Sequence, residues 1–456
     1  MRYVAWLCLT AWLVVPAAAF VQADEPIDRR IAELEAETQR LRAELQQLQQ
    51  RPTRLPEVNT YPTALTAPAV EEDVEYYTLD ELKAEMKDLA WTKGDFKIVP
   101  YGFLWAWTVY ETERTKTGDY SLFVLSPDDH NGGEHNWDFD ARGTRLGIDV
   151  TGPQLPAWCC ATSGGKVEID FQGDAVYENK AGVLLRHAYV EVKNDYYRLL
   201  FGQTWDVISP LYPGVLLYSV AWGTGNIGYR RAQLRAERYF HFSDTSLVTA
   251  QIALADSLWS DKSSTALPDH TDWPVIEGRL AWKIGRRGKG CKPWEIGVSS
   301  HIGNQIWDFT DGAPEYDKYL RTWSLNFDAN IPLTDRLTVK GELFTGENLG
   351  TFLGGILQGV NTTTRDTIRS SGGWFDVGYD WTDRLHSHAG YVIDDPFNQD
   401  LSNGGRAYSQ MYFFNVSYNV TKKFIVGVEL SQWDTHYIGK RDGSSFRTEL
   451  MAKYAF

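Results

Sequence analysis

The sequence is poor in cysteine, has no excess of positive charge and, beyond its first residues, contains no long apolar run. Only 4 of its 456 residues are cysteine, and Cys159, Cys160 and Cys291 are the three that follow the apolar N-terminus. Such an odd, sparse set gives no disulfide framework, and the sequence leaves open whether any two of them pair. The net charge of −15 and the lack of basic stripes argue against a nucleic-acid partner.

The single long apolar run is typical of a secretory signal. Arg2 precedes the apolar residues 3–15, and Val21-Gln22-Ala23 offers a small-residue cleavage site, so we predict a signal peptide over residues 1–23. No later stretch reaches the roughly 18 uncharged apolar residues that a spanning helix needs. The exported chain is therefore soluble in the periplasm, secreted or a β-barrel.

Motifs of covalent catalysis are also missing. The sequence contains no nucleophile elbow, phosphate-binding loop or zinc-ligand spacing, so we predict no enzyme activity, cofactor or metal centre. Residues 128–140, with Asp128, His130, His135, Asp138 and Asp140, are rich in oxygen and imidazole ligands. Calcium would need clustered oxygens in a turn, and a solvated surface loop is the interpretation we favour.

Alternation with a period of two is what the sequence does contain, and it is clearest at the C-terminus. In residues 446–456 the even positions are mostly apolar, whereas Arg447, Glu449 and Lys453 occupy odd positions. One face of such a strand meets hydrocarbon or a protein core and the other meets water. The pattern fits the closing strand of an outer-membrane barrel or a strand of a β-sandwich.

The rest of the chain favours the barrel. The apolar fraction is 43%, yet the mean hydropathy is −0.36 and 14% of residues are aromatic, as expected where apolar residues alternate with polar ones between aromatic girdles. We predict about sixteen antiparallel strands over residues 94–456. Their predicted starts are Phe96, Arg142, Lys166, Val183, Tyr197, Tyr229, Ser246, Trp273, Trp294, Leu320, Leu337, Gly373, Leu385, Tyr408, Phe424 and Phe446.

Near repeats mark the connections between these strands. Thr334, Thr382 and Thr421 occupy equivalent positions in three similar short segments, which we interpret as one type of tight turn. Longer polar loops are predicted near residues 347–369 and 396–406. Short turns at one end and long loops at the other are the usual construction of outer-membrane barrels, and a barrel of this size encloses an aqueous lumen.

A short helical region precedes the barrel. Over residues 24–51 the heptad positions a and d hold mainly Ile and Leu, and opposite charges occupy g and e′ positions, which predicts a short parallel coiled coil. A solvated amphipathic helix is the alternative, and the heptads do not distinguish a dimer from a trimer. Residues 52–93 read as a proline-rich tether followed by a short helix that opens on a capping box at Thr78.

Strand parity identifies candidate pore residues. Ala232, Leu234 and Ala236 should face lipid, which places Arg231 and Arg235 on the lumen side. The same reasoning places Arg145 there, as well as the acidic residues of the third strand, namely Glu168, Asp170 and Asp174. Arginines in the lumen could select anions, or they could simply solvate the wall; the acidic strand leaves net selectivity open.

Several motifs resemble those of the DcaP-like porins, which are trimeric sixteen-stranded barrels with an N-terminal coiled coil. They are Gly94-Asp-Phe-Lys-Ile, Leu185-Arg-His-Ala-Tyr-Val and Phe201-Gly-Gln-Thr-Trp, the last followed by Ser209-Pro210. The resemblance implies that the loop after the fifth strand, residues 206–227, folds into the lumen and narrows it. Asp206 is the only acid of that loop, and Ser209, Pro210, Tyr212 and Trp222 are among its other residues.

The resemblance also implies a homotrimer and the uptake of small anionic solutes. We therefore predict a porin in the outer membrane, in contact with its lipid, through which small hydrophilic solutes diffuse. The coiled coil would lie in the periplasm, where it could contact the cell wall. The alternatives are an envelope-anchoring protein with a closed lumen and, given the 18 tryptophans, a secreted carbohydrate-binding β-protein.

Overall fold

A computed structural model describes residues 90–173, 181–258, 268, 270–288, 290–309 and 317–456. The predicted signal peptide, coiled coil and nearly all of the tether lie outside the described residues. Within the described part of the chain, no helix is long and apolar enough to cross a membrane. The helical segments described there are 3₁₀ turns of three residues each.

The described chain forms sixteen long antiparallel strands that follow one another in sequence order around a single sheet. The second strand, β2, is built from two segments that both pair with β1. The strands are β1 (Phe96–Glu111), β2 (Asn136–Asp140 and Arg145–Leu155), β3 (Ala161–Gly173), β4 (Gly182–Lys193), β5 (Tyr197–Trp205), β6 (Arg230–Ser243), β7 (Ser246–Ala255), β8 (Val275–Ile284), β9 (Trp294–Asp308), β10 (Asp317–Pro332), β11 (Leu337–Glu347), β12 (Arg369–Asp380), β13 (Leu385–Pro396), β14 (Arg406–Asn419), β15 (Phe424–Tyr437) and β16 (Gly443–Ala455).

The last strand closes the sheet on the first. Residues of β16 pair antiparallel with β1 from Phe103 opposite Ala455 to Glu111 opposite Arg447. At the chain end, the Phe456 amide donates to the Gly102 carbonyl at 3.0 Å. Closure removes the two free edges that an open sheet would expose, and every long strand gains a partner on both sides. The predicted sixteen-stranded antiparallel barrel is confirmed.

The predicted strand starts agree with the observed ones within six residues. The two largest differences are at β2, which begins at Asn136 rather than Arg142, and at β3, where pairing begins at Ala161 rather than Lys166. Residues 161–165 contain two glycines and no large apolar side chain, so alternation gives little signal there. The split in β2 was also not predicted, because the break at residues 141–144 carries no proline.

The three threonine turns have the same hydrogen bonds. In each one the hydroxyl of Thr334, Thr382 or Thr421 accepts bonds from the amides two and three residues later, at 2.9–3.2 Å. A threonine that satisfies two backbone donors stabilises a tight turn within its own few residues. The predicted repeat is therefore a repeated local structure.

The two faces of the wall differ as the alternation predicts. On β16, Phe446, Leu450 and Tyr454 are 44–50% exposed, whereas Arg447 and Glu449 are each 1% exposed. The apolar side chains stand on the outer face, and the charged ones point into the barrel. The inner face therefore carries the ionic and hydrogen-bonding chemistry of the molecule.

Candidate functional site

The connection between β5 and β6, residues 206–229, is anchored at its base by an aspartate. The Asp206 amide donates to the Tyr229 carbonyl at 2.8 Å, and the Tyr229 amide donates back to Asp206 Oδ2 at 2.9 Å. These bonds extend the β5–β6 ladder beyond Trp205, and residues 207–228 leave the ladder as one long excursion. We call this segment the β5–β6 loop.

The first half of the β5–β6 loop is bonded to the inner face of distant strands. Four backbone amides donate to carboxylates at 2.7 Å and a fifth donates to a hydroxyl at 3.4 Å. The pairs are Val207 with Glu277, Ser209 with Ser299, Leu211 with Glu342, Gly214 with Asp376 and Leu216 with Glu429. The acceptors belong to β8, β9, β11, β12 and β15, so the loop is attached to wall strands far from its own in sequence.

Charge-assisted bonds of this kind are stronger than bonds between neutral groups. A buried amide that loses its acceptor costs about 1–3 kcal/mol, so this row of carboxylates fixes the path of the loop. Glu277, Glu342 and Glu429 are all at most 3% exposed. The inner-face acids of these strands are thereby occupied by the protein itself.

Arg231 and Asp206, both predicted pore residues, form an ion pair with each other. Arg231 Nε lies 2.6 Å from Asp206 Oδ1, and Nη2 lies 3.0 Å from Oδ2. Arg231 is 1% exposed and also donates to the Thr351 carbonyl at 3.1 Å. Arg231 therefore lies on the inner face of the barrel, where its charge is opposed by a carboxylate in direct contact.

The other predicted loop residues and Arg235 are also located. Arg235 donates from Nε to Gln233 at 2.8 Å and lies 3.6 Å from Glu237. Ser209 is buried and Pro210 is partly buried. The rings of Tyr212 and Trp222 each contact Trp205, with centroids 5.2 and 5.9 Å apart. These residues belong to one packed aromatic region between the loop and the wall.

Arg145 occupies a different environment, at the junction of β2, β1 and β16. The register places Arg145 opposite Phe103, and Lys453 opposite Trp105 on the other side of β1. The Arg145 guanidinium lies 5.1 Å from the centre of the Phe103 ring, and Lys453 Nζ lies 4.8 Å from that ring and 3.9 Å from the Trp105 ring. Two cations therefore flank one aromatic side chain.

Neither of these cations forms an ion pair with a carboxylate of the described residues, and both remain partly exposed. Arg230 is a third cation that lies over aromatic rings, but it is buried. It is 2% exposed, lies over the rings of Trp205 and Tyr229 at 4.7 and 4.6 Å, and donates to the Tyr229 hydroxyl. Arg230 and Lys453 were not predicted. The charged, lumen-facing parity of Lys453 was visible in the sequence, but its aromatic neighbours were not.

Two acidic residues of β3 share one arginine on the adjacent strand, β4. Arg186 lies 2.7 Å from both Glu168 and Asp170 and is 2% exposed. Asp174, the third predicted acid of this strand, lies outside the described residues. Glu168 and Asp170 are thus paired with the adjacent strand.

The loop rich in possible metal ligands is braced by salt bridges. Asp128 lies 2.7 Å from Arg441, and Asp129 lies 2.5 Å from Lys440. Hydrogen bonds from the Arg441 amide and then from its side chain lower the pKa of Asp128. No group of three potential metal ligands is found among the described residues. Cys159, Cys160 and Cys291 are exposed and unpaired.

The fold is similar to those of known outer-membrane channels. The outer membrane channel DcaP of Acinetobacter baumannii matches with a TM-score of 0.64 and 17% identity, over 80% of this chain and 99% of that chain. OmpF of Salmonella typhi, in complex with daunomycin, matches with a TM-score of 0.53 and 13% identity, over 80% of this chain and 100% of that chain.

An anion-selective porin from Comamonas acidovorans matches with a TM-score of 0.51 and 12% identity, over 79% of this chain and 100% of that chain. No protein-family model and no curated protein matches the sequence. The chain therefore has the closed sixteen-stranded fold of DcaP and other outer-membrane porins, as its sequence motifs predict.

Proposed function

We propose that this protein is an outer-membrane porin through which small hydrophilic solutes, chiefly anions, diffuse passively. The observation that carries the proposal is a closed barrel with an apolar outer face and a charged inner face. Val190, Leu234 and Leu343, on different strands, are 53–62% exposed on the outside. A face of this kind is stable against hydrocarbon, since closure leaves no unpaired backbone edge there.

The narrowest part of the water path is, in this proposal, set by the β5–β6 loop. Its backbone amides are held by acceptors on five strands, which supports a fixed obstruction inside the barrel. Its carboxylate acceptors are covered by the loop itself. Among the inner-face charges that stay partly exposed, Arg145 and Lys453 lack a carboxylate partner within the described residues, and they supply the positive field on which the anion preference rests.

This proposal changes the roles of the predicted pore residues. Arg145 remains a selectivity residue, and Lys453 joins it, with Arg230 behind them in its aromatic surroundings. Arg231 and Asp206 hold the base of the loop, because their charges oppose each other at 2.6 Å. Arg235, next to Glu237, contributes less to the field than Arg145.

The test is conductance of the purified protein in a planar lipid bilayer, with the reversal potential measured in a KCl gradient. Discrete channels with a reversal potential on the anion side support the proposal. Folded protein that inserts without conducting would instead favour the envelope-anchoring alternative. Recovery of the mature chain in a soluble fraction without detergent would favour the secreted alternative.

A homotrimer is part of the same proposal. The heptads of residues 24–51 favour an oligomer, and the number of three chains rests on the resemblance to trimeric porins. The coiled coil would lie in the periplasm and could contact the cell wall. Mass measurement in detergent should give three chains per particle. Removing residues 24–51 should leave the conductance of each pore unchanged and lower the yield of trimers.

A further inference from the structure

A second loop is buried inside the barrel. Residues 348–368 connect β11 to β12, and we call them the β11–β12 loop. A long connection is found where a longer polar loop is predicted, but its tip is apolar and buried, since Leu349, Phe352 and Ile356 are at most 1% exposed. The tip contains two 3₁₀ turns, Gly350–Phe352 and Gly355–Leu357.

Phe352 is the centre of this tip. Its ring stacks on the ring of His301 on β9, with centroids 3.9 Å apart, and the guanidinium of Arg231 lies over the same ring at 3.9 Å. A cation over an aromatic face is attracted most strongly when both groups are shielded from water. Phe352 and Arg231 are both buried, so Arg231 links Asp206 at the base of the β5–β6 loop to the β11–β12 loop.

Backbone hydrogen bonds join the two loops directly. The Gly228 amide donates to the Phe352 carbonyl at 2.8 Å, and the Gly223 amide donates to the Leu353 carbonyl at 3.0 Å. Ile227 packs in the same apolar cluster as Phe352. The β11–β12 loop thus holds the second half of the β5–β6 loop, whereas the row of wall carboxylates holds the first half.

The β11–β12 loop is itself fixed to the wall. The Ile356 amide donates to Asp394 on β13 at 3.0 Å, and Gln305 on β9 donates to the Thr351 hydroxyl at 2.9 Å. These attachments place the loop against β9 and β13. The partly exposed cations Arg145 and Lys453 lie on β2 and β16, which are separate strands of the barrel.

We propose that the β11–β12 loop is a second constriction element, which clamps the β5–β6 loop inside the barrel. Arg231 is a positioning residue in this clamp and acts through Phe352. The inference rests on the proposed transport function. It assigns pore width to one set of residues and ion selectivity to another.

Two variants remove the clamp in different ways. Phe352→Ala deletes the ring between His301 and Arg231. A deletion of residues 351–358 removes the two 3₁₀ turns of the tip. The two chain ends that must then be joined, Gly350 and Gly359, are close together, since a Cβ placed on Gly350 would lie 2.8 Å from the Gly359 nitrogen. Phe397→Ala is the matched control, because it also removes a phenylalanine ring that lies under an arginine. Phe397 is on the β13–β14 connection, and the guanidinium of Arg369 lies 4.8 Å from the centre of its ring.

In planar bilayers, both clamp variants should raise single-channel conductance by about twofold and increase current noise, because the passage widens where the loop is released. Their reversal potential in a KCl gradient should stay close to that of the unmodified protein, whose selectivity charges are intact. Phe397→Ala should conduct like the unmodified protein. Unchanged conductance in both clamp variants would overturn the inference.

Hydrogen exchange separates this inference from the proposed function. Amides of residues 221–228 should exchange at least about tenfold faster in Phe352→Ala than in Phe397→Ala, because they lose their docking surface. This readout does not need a conducting pore. If exchange is faster but the protein never conducts, the clamp is supported and the transport proposal is refuted. If the protein conducts but exchange is unchanged, the transport proposal is supported and the clamp is refuted.

Discussion

Arg145 gives the sharpest test of how the pore would select ions. It is partly exposed, lies beside Phe103 and has no ion-pair partner among the described residues. The change Arg145→Gln removes one full charge at any working pH, since arginine is not deprotonated in proteins. Glutamine keeps a long polar side chain, so the inner face stays hydrated.

The size of the effect follows from the distance. An anion passing Phe103 would lie about 5 Å from the guanidinium, where the attraction is about 0.8 kcal/mol in bulk water and about 3 kcal/mol at an effective dielectric constant of 20. The lower figure corresponds to a factor of about four in the local anion concentration, and a cation is repelled by the same energy. The anion-to-cation permeability ratio of the variant should therefore fall by at least a factor of about four.

The assay is the reversal potential across a planar bilayer in a KCl gradient, at about 0.1 M salt so that the Debye length of about 10 Å exceeds this distance. Lys453→Gln should shift the potential in the same direction. Arg238→Gln is the control, because it changes the net charge by the same amount. Arg238 lies on the outer face of β6, as Leu234 does. If Arg145→Gln behaves like Arg238→Gln, or if Arg231→Gln alone reproduces the shift, then Arg145 does not set the ion selectivity.

Three further outcomes are expected. Glu342→Ala combined with Glu429→Ala should raise conductance and noise, because two loop amides lose acceptors at about 1–3 kcal/mol each; the paired Gln variants keep an acceptor and should stay near normal. Deleting residues 454–456 should abolish the heat-modifiable, folded band in cold detergent electrophoresis, because the β16–β1 seam loses its end. Burial, and after it the hydrogen bond to Asp140, raises the pKa of Asp119 from 3.8 to about 7. Residues 112–135, the connection that contains Asp119, should therefore lose protection from hydrogen exchange as the pH rises through that interval. Asp119→Asn should remove this dependence, and a loop equally protected at both ends of the interval would contradict the reasoning.

The sequence by itself determined the strands, their faces and the short turns. Alternation is a local property, since successive side chains of a strand point to opposite faces whatever the strand pairs with. The direction of Arg231 and Lys453 was therefore readable from Leu234 and Leu450. The threonine turns were readable for the same reason, because each is satisfied by hydrogen bonds within its own four residues.

The burial of the β11–β12 loop has a signal in the sequence, although a polar loop is predicted there. Residues 352–357 read Phe-Leu-Gly-Gly-Ile-Leu, and four large apolar side chains in a presumed exposed loop need a surface to cover them. The surface that covers Phe352 is formed by Ile227 and Arg231 from one stretch of chain and by His301 from another.

Only the tertiary structure decided which charges remain available. The alternation places Arg145, Arg231 and Lys453 all on the inner face. Arg231, however, forms an ion pair with Asp206 at the base of the β5–β6 loop. Arg145 and Lys453 meet across β1, because the last strand of the chain closes on the first. Parity gives the face of a side chain, whereas its neighbours depend on register, closure and loop path, which bring together residues that are more than 300 positions apart.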